Sequence, residues 1–263
     1  MGSVPNLRGD YSKAGPDFAV EQDWSSYTSA EHALYRRLFE RQAKLVPKYA
    51  CPEWIEAIGR LESAGREIPK FADISRRLRS ATGWEIVAVP GLIPDDAFFT
   101  HLANRRFPVT VWLRRPEEFD YIVEPDVFHD FFGHVPLLFD RTYADHLYEY
   151  GKGGLKAMRL DAVKMLARLY WFTIEFGLMR SANGVRAYGA GLLSSGGELA
   201  YCVDDPKPRR LPFELERIMR TEYQIDRYQD TYFVIDSFDQ LMRETAPDFT
   251  PIYARLRQMP VLH

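Results

Sequence analysis

Residues 124–134 read Glu-Pro-Asp-Val-Phe-His-Asp-Phe-Phe-Gly-His, and they place two of the chain's six histidines among apolar side chains. An imidazole in such surroundings is either a hydrogen-bonded core residue or a metal ligand. Two of them close together, with acidic residues nearby, favour a metal site. Asp126 is suited to cap a helix that begins in this stretch.

The spacing of His129 and His134 is unusual for two ligands of one ion. In a regular α-helix, side chains five residues apart point about 140° away from each other. Both can reach one ion only if the helix ends or distorts between them, and Gly133 and Pro136 supply a reason for that. The alternative is a pair of hydrogen-bonded histidines in the core.

A third candidate ligand, Glu175, lies in the most hydrophobic long segment of the chain, residues 160–179. This segment is apolar around nearly its whole circumference, which predicts a buried central helix. A carboxylate buried there is costly unless it is paired or binds a cation. No basic residue lies one turn away on either side, so the sequence favours a metal shared with the two histidines.

Two histidines and one carboxylate are typical of the Fe(II) sites of non-haem oxygenases, which keep coordination positions open. The same three ligands also suit zinc with an activated water, as in a hydrolase. The residues alone leave both metals open, together with the alternative in which Glu175 is paired elsewhere.

The composition limits the classes of function. A chain of 263 residues, 46% of them hydrophobic, can bury a large core in one or two domains. The net charge of −3 gives no general attraction to nucleic acid. No apolar run approaches the roughly 18 residues of a membrane span. The two cysteines, Cys51 and Cys202, lie far apart, which favours a reducing compartment. A cytoplasmic protein that binds neither nucleic acid nor membrane is expected.

The order of the predicted elements indicates a mostly α (α+β) protein. Residues 1–25 are expected to form a flexible N-terminal leader, and residues 26–263 a single catalytic domain. Thr28 or Ser29 is expected to cap the first helix. Helices are predicted near 29–46, 52–61, 70–82, 94–102, 142–150, 160–179, 212–221, 236–245 and 249–258. Strands are predicted at 84–89, 107–113 and 232–235, with a turn at 151–154.

Three segments resemble the pterin-dependent aromatic amino acid hydroxylases. They are residues 125–136 (PDVFHDFFGHVP), residues 170–178 (YWFTIEFGL) and residues 187–195 (AYGAGLLSS). They occur in the family's order and at similar separations, and the resemblance extends over residues 25–245. It implies the catalytic-domain fold of that family, a helical basket with short β-strands around a central iron.

The resemblance also implies two cofactors. His129, His134 and Glu175 would bind Fe(II) and form the catalytic centre, with tetrahydrobiopterin or a related tetrahydropterin and O2 beside it. Phe98 would stack on the pterin, since a flat heterocycle gains from an offset aromatic face. Asp130 replaces the family's more usual glutamate, and its shorter side chain would reach the pterin through water. The remaining residues implied on the pterin side are Gly91, Leu92, Ile93, Ala167 and Tyr170.

A substrate-binding set follows from the same resemblance. Arg114 would grip the substrate carboxylate, because a guanidinium binds a carboxylate through two parallel hydrogen bonds and thereby orients it. Trp171 would shape the aromatic pocket. The remaining members of the implied set are Phe176, Ser194 and Ser195. Gly196 and Ile122 depart from residues common in the family, and these departures bear on pocket shape.

Within the family, the chain most resembles the bacterial enzymes that hydroxylate L-phenylalanine to L-tyrosine with O2. A monomer is expected, because no heptad repeat follows residue 245. One alternative keeps the chemistry and changes the ring, to tryptophan 5-hydroxylation or another position of phenylalanine. A zinc hydrolase and a ligand-binding relative with a silent metal site are the alternatives from other classes.

Overall fold

Helix α1, Ser29–Tyr49, begins at the capping box that the sequence predicts. The Thr28 hydroxyl accepts a hydrogen bond from the backbone N–H of Glu31 (3.2 Å), and the Glu31 carboxylate accepts one from the N–H of Thr28 (2.8 Å). Two otherwise unpaired N–H groups are satisfied in this way. The structure, a computed structural model, describes residues 7–61 and 65–263.

Helices dominate the described residues, as the sequence predicts, and none of these helices is both long and apolar enough to cross a membrane. After α1 come α2 (Pro52–Gly59), α3 (Phe71–Ala81), α4 (Asp95–Leu102), α5 (Arg141–Arg159), α6 (Val163–Tyr170), α7 (Ala190–Ser194), α8 (Glu198–Asp204), α9 (Leu215–Arg220), α10 (Phe238–Thr245) and α11 (Thr250–Leu256).

The strands of the described residues form two small sheets. The strands are β1 (Glu85–Val89), β2 (Arg106–Thr110), β3 (Leu178–Ser181), β4 (Gly184–Ala187), β5 (Arg209–Pro212) and β6 (Thr231–Ile235). Strands β1 and β2 pair in parallel, and the other sheet has the order β4-β3-β6-β5. In that sheet β3 and β4 form an antiparallel hairpin, while β6 runs parallel to both β3 and β5.

The predicted turn at residues 151–154 is wrong, because α5 runs through it without a break. Two of the three glycines there, Gly151 and Gly154, permit close packing against α4. A Cβ atom on Gly151 would lie 2.5 Å from the backbone nitrogen of Ala103, and one on Gly154 would collide with the ring of Phe99. Two helices can approach this closely only where a side chain is missing.

The predicted continuous helix over residues 160–179 is also wrong. Helix α6 passes into a single π-helical turn, Trp171–Glu175, and the chain then enters β3 at Leu178. Gly177 lies between them, where a Cβ atom would collide with the ring of Tyr188. Glu175 is therefore the last residue of a helical run. Helical residues precede it in the chain, but none follow it directly.

The described part of the predicted leader, residues 7–25, makes specific contacts with the rest of the chain. The backbone N–H of Val20 donates to Ala88 O (2.9 Å), and the Tyr11 hydroxyl donates to Leu92 O (2.8 Å). Residues 1–6 lie outside the described residues. The division of the chain at residue 25 stays a prediction.

Candidate active site

His129 and His134 lie at the two ends of a π-helical turn. Asp126 caps this turn as the sequence predicts, since its carboxylate accepts a hydrogen bond from the N–H of His129 (2.9 Å). Hydrogen bonds in a π-helix join residues five apart, so such residues become neighbours on one face. The awkward spacing of the two histidines is resolved in this way, and their ring centroids lie 5.2 Å apart.

Glu175 meets both histidines from the end of the second π-helical turn. Its carboxylate oxygens lie 3.6 Å from Nε2 of His129 and 3.1 Å from Nε2 of His134. One ligand atom from each of the three residues lies within 4.8 Å of the others. Three protein ligands gathered at one point, from two separate segments, can hold a metal ion and leave coordination positions open.

The protonation of this cluster suits a divalent metal. Burial lowers the pKa of His129 to about 4, so its imidazole is neutral near pH 7. Burial by itself raises the pKa of Glu175, but the neighbouring His134 and His129 outweigh this, and the pKa lies below its ordinary value. Two imidazoles and an ionised carboxylate are a donor set that suits Fe(II) or Zn(II).

Helix α7 supports two of these three side chains. Nδ1 of His129 lies 2.9 Å from the Ser194 hydroxyl, which itself donates to Ala190 O (2.8 Å). Because the hydroxyl proton is used there, the oxygen accepts from Nδ1–H, and Nε2 of His129 keeps its lone pair for the metal. The backbone of Gly191 lies close to Glu175, since a Cβ atom on Gly191 would lie 3.0 Å from the carbonyl oxygen of Glu175, and its N–H helps to lower the pKa of the carboxyl group.

The contact between α7 and the first π-helical turn depends on Gly133. A Cβ atom there would lie 2.8 Å from both the Cβ and the carbonyl oxygen of Ala190. Gly133 therefore permits close packing, in addition to the helix distortion that the sequence suggested. Ser195 follows α7 and contacts the next helix, where its hydroxyl accepts a hydrogen bond from the N–H of Glu198 (3.1 Å).

The residues implied on the pterin side form one wall beside His134. The Tyr170 ring lies 6.4 Å from the His134 ring and 5.7 Å from the Phe98 ring. Phe98 is half-buried, although a neighbour on the same helix, Phe99, is fully in the core. Ala167 lies one turn before Tyr170 on α6 and is also half-buried.

The segment Gly91–Ile93 joins β1 to α4. Gly91 has φ +154, and a Cβ atom there would lie 2.7 Å from the Glu124 carboxylate and 2.9 Å from the Tyr11 hydroxyl. Leu92 and Ile93 are half-buried, and the carbonyl of Leu92 is the one that accepts from Tyr11. A glycine is required at this crowded corner.

Asp130 anchors the histidine turn to the end of β2. Its carboxylate accepts a hydrogen bond from the N–H of Thr110 (2.8 Å). Burial raises the pKa of Asp130 to about 7. The side chain therefore has a backbone partner of its own, which the sequence did not indicate.

Arg114, the residue implied for carboxylate binding, is fixed by an ion pair that sequence reasoning missed. Its Nε and Nη2 donate to the two oxygens of Asp126 at 2.8 and 2.9 Å, and both side chains are almost fully buried. Burial alone raises the pKa of Asp126, but the Arg114 charge outweighs this, and the net pKa lies below the ordinary value. Asp126 thus caps the histidine turn and orients a guanidinium whose other edge remains for a ligand.

Trp171 belongs to a stack of three rings. Its indole lies 4.7 Å from the Phe176 ring and 4.3 Å from the Tyr223 ring, with interplanar angles of 28° and 16°. Tyr223 follows α9 and was not predicted, because a lone tyrosine in a polar segment carries no motif. Ile122 lies half-buried in the segment between Arg114 and Asp126.

Comparison with known proteins gives a consistent family. The model of the biopterin-dependent aromatic amino acid hydroxylases matches residues 19–255. The phenylalanine-4-hydroxylase of Chromobacterium violaceum is 57% identical over 240 residues, which cover 91% of this chain and 81% of that protein. The protein of the same name from Ralstonia nicotianae is 54% identical over 245 residues, which cover 93% and 78% of the two chains.

Solved structures agree with this result. A crystal structure of the Chromobacterium violaceum phenylalanine hydroxylase with iron and phenylalanine bound matches with a TM-score of 0.90 at 54% identity, over 94% of this chain and 90% of that one. Its cobalt-bound structure matches with a TM-score of 0.92 at 55% identity, over 94% and 89% of the chains. The predicted family fold is confirmed, and this chain belongs to the biopterin-dependent aromatic amino acid hydroxylases.

Proposed function

We propose that this chain is a phenylalanine 4-monooxygenase, which converts L-phenylalanine to L-tyrosine with O2 and a tetrahydropterin at a non-haem Fe(II) centre. The observation that carries the proposal is the cluster of His129, His134 and Glu175, whose ligand atoms lie within 4.8 Å of one another. Curated relatives more than half identical to this chain are named phenylalanine-4-hydroxylases, which supports the substrate.

The three residues of the cluster are the proposed iron ligands and the catalytic centre. The neutral imidazole of His129, the imidazole of His134 and the ionised carboxylate of Glu175 fit Fe(II). Bound iron and tetrahydropterin together would supply the activation of O2 and the electrons for it. The protein would supply geometry and a dry site.

Arg114 is proposed to bind the carboxylate of phenylalanine. Its guanidinium is held on one edge by Asp126, so little side-chain entropy is lost when the other edge binds a ligand. The buried setting strengthens the ion pair with the substrate compared with one in water.

The substrate ring is proposed to pack against Trp171 and Phe176. These rings are braced by Tyr223, which limits their movement and keeps the pocket in one shape. Ser194 is proposed to act on this site through His129, and Ser195 through the start of α8.

The pterin is proposed to lie on the wall formed by Phe98 and Tyr170, next to His134. A flat ring gains most from aromatic faces and edges of this kind. The backbone of residues 91–93, Ala167 and Asp130 are proposed to line its edge. We further propose that the protein acts as a monomer in the cytoplasm.

The proposal is tested by tyrosine formation from phenylalanine with Fe(II), tetrahydropterin and O2. Glu175→Ala should abolish product, because two imidazoles alone do not complete the ligand set. Glu56→Ala, which changes an exposed glutamate on α2, serves as the control and should keep full activity.

Three results would contradict the proposal. They are no tyrosine from the unaltered protein, full activity of Glu175→Ala, and turnover that continues without O2 or pterin. Product analysis with tryptophan, and of the position hydroxylated on phenylalanine, separates the remaining ring alternatives.

A further inference from the structure

Helix α7 is the support of the metal-binding cluster, yet it has only five residues. Ser194 orients His129, and the backbone of Gly191 packs so closely on Glu175 that a Cβ atom there would lie 3.0 Å from the Glu175 carbonyl oxygen. A helix of this length has no stability of its own in water. Its position must therefore be fixed by contacts from elsewhere in the chain.

Two adjacent residues of α1 provide those contacts. The side-chain amide of Gln42 donates to the carbonyls of Leu193 (2.5 Å) and Ser195 (3.0 Å), and Nη2 of Arg41 donates to the carbonyl of Ser194 (3.2 Å). Carbonyls at a helix C-terminus have no partner within the helix. Three consecutive carbonyls at the end of α7 are thus bound by one pair of side chains.

The same pair reaches the segment that leads to the substrate side of the site. Nη1 of Arg41 donates to the carbonyl of Phe119 (2.8 Å), and its Nε donates to the amide oxygen of Gln42 (2.9 Å). Gln42 is fully buried, and the Arg41 side chain is 17% exposed. From Phe119 the chain runs to Asp126, which holds Arg114 and caps the histidine turn.

We propose that Arg41 and Gln42 are positioning residues that hold α7 against the metal ligands and tie it to segment 119–126. In the described structure neither side chain forms a hydrogen bond or ion pair with His129, His134 or Glu175. Their effect passes through Ser194 and Gly191 to the ligands, and through Phe119 to the substrate side. The part that concerns the substrate rests on the proposed function, whereas the part that concerns the metal does not.

The metal part is tested by titrating metal-free protein with Co(II) and following the visible spectrum. Arg41→Leu should weaken Co(II) binding by roughly 10- to 100-fold, the range for residues that orient metal ligands. The Co(II) affinity of Arg41→Lys should lie between those of Arg41→Leu and the unaltered protein, because one ammonium group cannot reach all three acceptors that Arg41 now binds.

Arg37→Leu is the matched control. Arg37 lies one turn earlier on α1, and its guanidinium lies 4.9 Å from the Phe119 ring, close to the 4.8 Å of Arg41. It makes no hydrogen bond to α7 in the described structure. Co(II) binding of this variant should equal that of the unaltered protein.

A double-mutant cycle distinguishes positioning from general loosening. If Arg41 acts through Ser194, the loss in Co(II) affinity of Arg41→Leu combined with Ser194→Ala should be smaller than the sum of the single losses. Additive losses, or equal affinities of Arg41→Leu and Arg37→Leu, would overturn the proposal. If Arg41→Leu fails to fold by near-UV circular dichroism, Gln42→Met is used in the same cycle with the same criteria.

The substrate part is tested by the KM for phenylalanine. Arg41→Leu should raise it at saturating metal, and Arg37→Leu should not. A protein that binds Co(II) as expected but forms no tyrosine contradicts the proposed function alone, since the Co(II) titration requires no turnover.

Discussion

Asp126 shows how a single residue can support both a proposed metal ligand and the proposed substrate-binding arginine. Its carboxylate binds the guanidinium of Arg114 and the N–H of His129. The sequence predicts the cap, because Asp before an apolar stretch is a strong local signal. The ion pair could not be predicted, because its two residues lie twelve positions apart in the sequence. The segment between them shows no helical or strand periodicity that would bring them together.

Asp126→Asn should therefore impair both stability and substrate binding. The change leaves the Arg114 charge buried without a counter-charge, which costs about 3 kcal/mol in the free energy of unfolding. The KM for phenylalanine should rise roughly tenfold or more, if about 1.4 kcal/mol of binding is lost. Urea unfolding and steady-state kinetics measure the two effects.

Asp248→Asn is the control for this variant. Asp248 pairs with Lys156 at 2.6 Å on the surface, where an ion pair contributes little. An equal loss of stability in both variants would contradict the importance assigned to the buried pair.

His146 gives a prediction about acid stability that is independent of the metal. Burial lowers its pKa to about 4, and its Nδ1 lies 3.0 Å from the Thr245 hydroxyl. The unfolded chain takes up a proton near pH 6.5, whereas the folded chain does so only near pH 4. Stability is thus lost as pH falls through this window, by about 3 kcal/mol for this group.

His146→Gln should reduce the slope of unfolding free energy against pH between pH 6.5 and 4. Part of the slope will remain, because burial also lowers the pKa of His101 and His129. Above pH 7 the two proteins should differ by a constant amount. If the plots of unfolding free energy against pH are parallel for the two proteins over the whole acid range, His146 is not responsible for the loss of stability.

At the scale of elements, the two π-helical turns are what the sequence could not specify. Gly133 and Pro136 indicated some distortion, and the capping box of α1 was predicted correctly. A π-helical turn has no composition of its own, since it arises from packing around the residues it presents. The turn predicted at 151–154 failed for a related reason, because a glycine that permits packing looks the same as one that breaks a helix.

Strands β3, β4 and β5 were missed because their sequences lack the usual signal. They are only four residues long and contain Arg, Ser, Gly or Pro. Strands β3 and β5 pair with the buried strand β6, which the sequence does predict, and β4 pairs with β3. Short strands of this kind are set by tertiary contacts more than by propensity.

Gly133→Ala tests the packing of α7 on the histidine turn. The new methyl group must displace Ala190, which should cost about 1–3 kcal/mol and weaken Co(II) binding by moving Ser194 from His129. Thermal unfolding and Co(II) titration measure both effects.

Gly153→Ala is the control, because it makes the same substitution of glycine by alanine within α5. No atom lies within 4 Å of the new Cβ position, so the change should raise stability by about 0.5–1 kcal/mol through helix propensity. A Gly133→Ala protein as stable as this control, with unchanged Co(II) affinity, would rule out the close-packing role.

At the scale of the whole molecule, the proposed metal-binding cluster connects parts of the chain that are distant in sequence. The histidine turn and Glu175 are separated by all of α5 and α6. A metal held by both segments binds the folded state alone, so it should stabilise the protein by about 2.7 kcal/mol at a hundredfold excess over Kd. The midpoint of thermal unfolding should fall when the metal is removed with a chelator.

Glu175→Ala should abolish this shift in the midpoint of thermal unfolding. The variant should unfold at the same temperature with added metal and with chelator. A loss of the shift in the Glu56→Ala control would indicate metal binding at some other place.

The described part of the N-terminal segment, from residue 7 onward, contacts residues next to both proposed ligand sites. The Tyr11 hydroxyl donates a hydrogen bond to the carbonyl of Leu92. The Arg8 side chain forms an ion pair with Glu118, and its backbone N–H donates to the Glu124 carboxylate (3.2 Å). An affinity tag or dye attached near Arg8 would therefore lie close to the segments that adjoin both proposed ligand sites. Kinetic constants for pterin and amino acid should be measured on tagged and untagged preparations before they are assigned to the protein itself.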